Sequence, residues 1–146
     1  MPHILALVLT LVIAGTALPL AAAPAWPGTE NSAPALGGHD PVAYFGGGAA
    51  IGKDNITATH DGVTFRFASA VNRDAFVAAP SKYLPQFGGY CAWAASQGRL
   101  AAPDPMLATI VDGKLYLNCS KTAEEKWRAD VPGNIARGAA FWATQK

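Results

Sequence analysis

The sequence predicts a small α+β domain, on three observations. Two Asp-Gly dipeptides, Asp61-Gly62 and Asp112-Gly113, each lie between runs of strand-forming residues, the strongest short-range signal of a β-hairpin. A helix-start signal follows each hairpin, at Ser69 and at Thr122. Prolines then close or open the helical stretches, at Pro80 and Pro132.

In chain order, Trp26–Leu36 is rich in Pro, Gly, Ser and Asn and predicts a flexible lead-in. Asp40-Pro41 predicts a turn, with Val42, Tyr44 and Phe45 as apolar anchors. Ile56–Phe67 predicts the first hairpin, with Val63, Phe65 and Phe67 on one face. Ser69 is a good N-cap for a helix over 70–79, with Phe76 and Val77 facing the core. Pro80 and Pro85 bracket a helix of about one turn.

Residues 109–111 and 114–117 predict the second hairpin. Thr122 and Glu125 fit a capping box for a helix to about Asp130, anchored by Trp127. Pro132 suits the start of a last helix through Ile135 and Ala139 to Trp142. The halves can be laid side by side: Phe65-Arg-Phe-Ala-Ser69 against Tyr116-Leu-Asn-Cys-Ser120, and Phe76 against Trp127. This suggests a pseudo-repeat of hairpin plus helix, or the recurrence of a common β-β-α unit.

The chain has 146 residues, 51% hydrophobic and 14% charged, with a formal charge of +1. Part of the apolar excess is the uncharged run Ile4–Leu18, followed by Pro19 and small residues. That pattern resembles a secretory signal peptide, residues 1–25, cut after Ala25 or Ala22. The run is shorter than the roughly 20 residues of a spanning helix, and a retained anchor is the alternative. Removing 1–25 leaves 121 residues (146 less 25), which suits one domain: lead-in 26–36, then domain 37–146. The expected location is periplasmic or secreted, with no stable membrane association once the signal is cut. A near-neutral domain without basic runs argues against nucleic acid as a partner. Nothing in the sequence addresses the oligomeric state.

The stretch Pro80–Gly98 concentrates Tyr83, Phe87, Tyr90 and Trp93, the pair Gly88-Gly89 and one of the two cysteines. It predicts a short helix over 90–97, stopped by Gly98, with Tyr90 and Trp93 on one face. Cys91 then falls in the first helical turn, where unpaired N–H groups and the positive dipole end favour a thiolate. A buried apolar residue, or half of a Cys91–Cys119 disulfide, explains the same cysteine.

Five segments together resemble the exported YHS-domain proteins of bacteria. They are Gly38–Phe45, Phe67–Ser69 with Asn72–Phe76, Pro80–Tyr83, Gly88-Gly-Tyr-Cys-Ala-Trp93 and Asp112–Asn118. The resemblance covers about Leu36 to Trp142. It implies a small α+β domain related to the TRASH-like metal-binding modules. Metal-associated YHS domains carry cysteines after Asp-Pro-Val and within Phe-Cys-Ser, where this chain has Ala43 and Ala68. His39 stands where the exported group more often has an aromatic, and Cys119 where it often has Tyr.

Cys91, Cys119, His39 and His60 match a tetrahedral zinc set in type, but no pair has the close spacing of a closed motif. A redox reading rests on Cys91 alone or on a labile Cys91–Cys119 bridge, without a Cys-x-x-Cys. As a structural bridge it would close a loop of about 28 residues and add roughly 3–4 kcal/mol on chain-entropy grounds. No hydrolase motif is present, and no catalytic residue is assigned. The aromatic residues are mainly core, and the surroundings of Cys91, Tyr90 and Trp93 are the expected ligand pocket.

The sequence therefore favours a non-enzymatic binding or sensing module of YHS type, for a small ligand or a transition-metal ion. A thiol-dependent redox protein using Cys91 is the second reading. An interaction domain with a structural Cys91–Cys119 disulfide is the third.

Overall fold

The structure, a computed structural model, describes residues 25–146. The run Ile4–Leu18 and the Ala22 cleavage position lie outside the described residues. Those described form an α+β domain of two antiparallel hairpins and five helices, with one-turn 3-10 segments between them. The hairpins do not share a sheet. No helix among the described residues is long and apolar enough to cross a membrane.

The first hairpin pairs β1 (Lys53–His60) with β2 (Val63–Phe67) through Asp61 (φ 48°) and Gly62 (φ 76°). Both turn residues are left-handed, as a tight twist-matched turn requires. Phe65 and Phe67 point into the core and are fully buried. Ser69 accepts a hydrogen bond from Asn72 N (3.1 Å) and opens α1 (Ala70–Ala78). Phe76 packs on Phe65 and Phe67, with ring centroids 5.0 and 5.2 Å away. Val77, expected beside it in the core, is 62% exposed, because the next residue is turned about 100° around the helix. The single turn α2 (Pro80–Tyr83) follows.

The second hairpin pairs β3 (Ala108–Val111) with β4 (Lys114–Leu117) through Asp112 (φ 49°) and Gly113 (φ 73°). The expected capping box is corrected here. Ser120, not Thr122, caps α4 (Lys121–Arg128), accepting from Ala123 N at 3.0 Å. Ser120 has the extended backbone that a cap needs as the chain leaves the strand, whereas Thr122 is already helical. Asp130 caps α5 (Val131–Ala143), with Pro132 in its first turn.

Residues 26–36, expected as a lead-in, touch the core at both ends, while Glu30–Ala33 between them are exposed. Trp26 meets Phe65 edge-on at 5.4 Å, and Ala35 and Leu36 are buried. Apolar side chains among the polar ones give the segment a core face.

The two halves repeat their backbone as well as their sequence. Ser69 (φ −147°, ψ 159°) matches Ser120 (−160°, 163°), and Ala79 (−150°, 67°) matches Asp130 (−151°, 71°). Each partner stands 51 residues after the other. The same offset relates two positive-φ turns before the hairpins: Leu36, Gly37 and Gly38 (φ 59°, 58°, 81°) and Phe87, Gly88 and Gly89 (57°, 60°, 82°). The repeat thus extends upstream of the hairpin and places Asp40 and Cys91 at equivalent positions.

Candidate functional site

The second Gly-Gly turn delivers Cys91. Tyr90 N donates to Phe87 O (3.0 Å), the chain becomes extended, and Cys91 bridges Leu117 of β4. Cys91 N donates to Ala101 O (3.0 Å), and α3 (Ala92–Ser96) begins after it. The expected helix over 90–97 is therefore shorter, with Cys91 as its cap. Gly98 (φ 72°) does follow its end.

Tyr90 and Trp93 consequently do not share a helical face. Tyr90 donates its hydroxyl to Ala25 O (2.7 Å) and lies beside Trp142. Trp93 packs against Cys91, Ala94 and Ala123, with Lys126 Nζ 5.8 Å from its ring centre. The Tyr90 and Trp93 side chains, expected to line a pocket with Cys91, thus lead in different directions. A cleft of about 700 Å³ lies beyond Gly88, lined by residues including Trp26, Pro85, Phe87 and Trp142 but by none of those three.

Cys119 leaves β4 immediately before the cap Ser120, and its sulfur is 2.6 Å from that of Cys91. Both are free thiols in the structure. Cys91 is completely buried; Cys119 is partly exposed. Burial opposes the thiolate expected at Cys91. Burial and the adjacent Cys119 thiol push Cys91 up to about 12. A five-residue helix has little dipole with which to oppose desolvation.

Asn118 completes the site. Its side chain is fully buried. Oδ1 accepts from Trp93 N (3.0 Å) and lies 3.8 Å from Cys91 Sγ. Nδ2 has no hydrogen-bond partner among the described residues. Asn118 N donates to Leu107 O, and Asp104 N to Asn118 O, both at 2.9 Å, so its backbone is fixed on both sides.

The four-residue metal set does not assemble. Among the described residues no three His, Cys, Asp or Glu side chains are grouped to hold a metal ion. His39 turns Nδ1 onto its own turn, 2.9 Å from Leu36 O. His60 stands at the hairpin turn, edge-on to Phe76 at 5.9 Å and 3.3 Å from Asp61. Of the four, only Cys91 and Cys119 meet.

Two residues of consequence were not singled out by sequence reasoning. Asp40, expected in an ordinary turn, is fully buried and accepts from Val42 N (2.8 Å), Ala43 N (3.3 Å), Ala68 N (2.8 Å) and Asn72 Nδ2 (2.7 Å). Asn118 is the other. The 51-residue offset carried the signal for both, since it sets Asp40 against Cys91 and Phe67 against Asn118.

A dithiol in this arrangement can exchange with an external disulfide. The partly exposed Cys119 attacks, one external thiol leaves, and Cys91 then displaces the second. Two protein S–H bonds and one external S–S bond are replaced by one protein S–S bond and two external thiols. Comparison with protein-family models, with curated proteins and with solved structures finds no match to this chain.

Proposed function

We propose that the chain is an exported, non-enzymatic sensing module of the YHS type it resembles, and that its responsive group is the Cys91–Cys119 dithiol. The observation that carries this reading is the contact of the two sulfurs, one sealed in the core and the other reachable from solvent. An accessible attacking thiol beside a buried resolving one is the arrangement thiol–disulfide exchange uses. The ligand in this reading is an electron-pair acceptor of the disulfide class, and the output is the closing or opening of one bond.

The test is the intact mass of the exported protein equilibrated in graded glutathione buffers, then denatured with a thiol-alkylating reagent. A responsive pair passes from two alkylated thiols to none, with a loss of about 2 Da for two hydrogens, at a midpoint above about −300 mV. A bridge that stays closed below that potential makes Cys91–Cys119 a structural disulfide and removes the sensing reading. The same mass locates the N-terminus.

A further inference from the structure

We propose that Asn118 is the positioning residue of the Cys91–Cys119 couple, supplying the hydrogen-bond acceptor that Asp40 provides in the first copy and Cys91 does not in the second. The inference rests on the redox reading above. Its argument is the comparison of the two copies of the turn.

In the first copy one carboxylate does all the joining. Asp40 Oδ1 accepts from Val42 N and Ala43 N, and Oδ2 accepts from Ala68 N, beyond the hairpin, and from Asn72 on α1. Moved on by 51 residues, these donors are Trp93 N, Ala94 N, Cys119 N and Ala123, which has no polar side chain. The second copy has Cys91 in place of the carboxylate. Its sulfur makes no cap hydrogen bond to α3 and meets the Cys119 sulfur at 2.6 Å instead. A thiol sulfur is a weak acceptor, so Trp93 N, the equivalent of the Val42 N that bonds Asp40 Oδ1, needs another partner. Asn118 Oδ1 serves it, at 3.0 Å.

Four of the differences between the copies fall in one place. Asp40, Phe67, Ala68 and Asn72 become Cys91, Asn118, Cys119 and Ala123. The side-chain amide has moved from the helix to the end of the strand, into a place the first copy gives to a core phenylalanine. There it fixes the first turn of α3, which carries Cys91, from the residue next to Cys119. A buried amide whose Nδ2 has no partner among the described residues is costly for the fold alone. Its role is to hold one thiol in register with the other.

The experiment titrates the exported wild type, N118L and N118D in glutathione buffers, reading the oxidised fraction by alkylation and mass. Asp keeps the acceptor oxygen; Leu keeps the approximate volume and loses it. N118L is expected to need about tenfold more oxidising glutathione for half-closure, a shift of about 30 mV for this two-electron couple, with N118D within about threefold of wild type. An N118L midpoint equal to that of a responsive wild type overturns the inference and leaves the redox reading standing. A wild-type pair that does not respond overturns both. Should N118L not fold, amide exchange in the wild type decides: a Trp93 amide protected in the folded protein supports the bond to Asn118, and one that exchanges freely overturns it.

Discussion

The Asp40 carboxylate meets the Ala68 amide at 2.8 Å and so ties the loop before the first hairpin to the residue after it. The contact is completely buried at Asp40. D40A leaves Val42 N, Ala68 N and Asn72 without their acceptor and should cost about 2–4 kcal/mol in urea unfolding. D40N keeps one acceptor but turns N–H groups toward the donors of Ala68 or Asn72, and should cost about 1–3 kcal/mol. Adding N72D supplies a carboxylate to that new amide and should recover part of the loss. A D40N protein as stable as wild type would show that the carboxylate joins nothing.

The reduced and oxidised forms should differ in their response to alkaline pH. Cys91 is held at about 12, above its ordinary 9.0, by burial and by Cys119. Between those values the unfolded chain has lost the thiol proton and the folded chain keeps it, so stability falls as pH rises. The contribution is fully present below about pH 9 and is lost toward pH 12, at up to about 1.4 kcal/mol per pH unit. Disulfide-bonded protein has no such group, and contributions from other residues such as Tyr44 are common to both forms. Parallel urea titrations of the two forms at pH 8 and pH 10 should therefore show the reduced form losing more. Equal losses would mean that Cys91 is not shielded.

Gly88 should be intolerant of any side chain. Its φ is +60°, and a Cβ there would come within 2.6 Å of the Trp142 ring. The left-handed backbone costs about 1–2 kcal/mol for a non-glycine residue, and overpacking adds roughly 1–3 kcal/mol. G88A should lose the sum of the two, and G88A/W142L should regain the overpacking part. Gly46, where a Cβ meets nothing within 4 Å, is the control, and G46A should stay within about 0.5 kcal/mol of wild type.

What was legible in the sequence was local. Asp61-Gly62 and Asp112-Gly113 announce both hairpins because only left-handed residues close so tight a turn. Ser69 and Pro80 mark their boundaries by hydrogen bonding and ring geometry within a few residues. The misreadings have local causes too. Thr122-x-x-Glu125 fits a capping box, but Ser120 is where the chain is still extended. Val77 is as apolar as Phe76, but the face of α1 against β2 has room for one of them. The site was less legible because it is assembled across the chain. That Cys91 and Cys119 can pair follows from their number, whereas their junction with Asn118 depends on a bridge from Cys91 to β4. Only the 51-residue offset foreshadowed it, and its most informative part is where the two copies differ.

Trp127 gives the repeat an energetic test. Its equivalent in the first half is Phe76, and each side chain is buried between hairpin and helix. Trp127 packs on Tyr116 with ring centroids 5.4 Å apart and planes tilted by 38°, as Phe76 does on Phe65 at 5.0 Å and 37°. Its Nε1 is buried with no partner among the described residues. Replacing a buried Trp by Ala costs about 3–5 kcal/mol through lost contacts and a cavity. W127F also leaves a cavity, but it removes a donor whose burial without a partner costs about 1–3 kcal/mol. The two effects oppose, so W127F should cost less than about 1.5 kcal/mol while W127A costs the full amount. Urea unfolding followed by far-UV circular dichroism, which does not depend on the lost fluorophore, reads both. A W127F loss close to that of W127A would mean that the indole N–H is satisfied in solution, and that the second half is not built to accept the first half's residue.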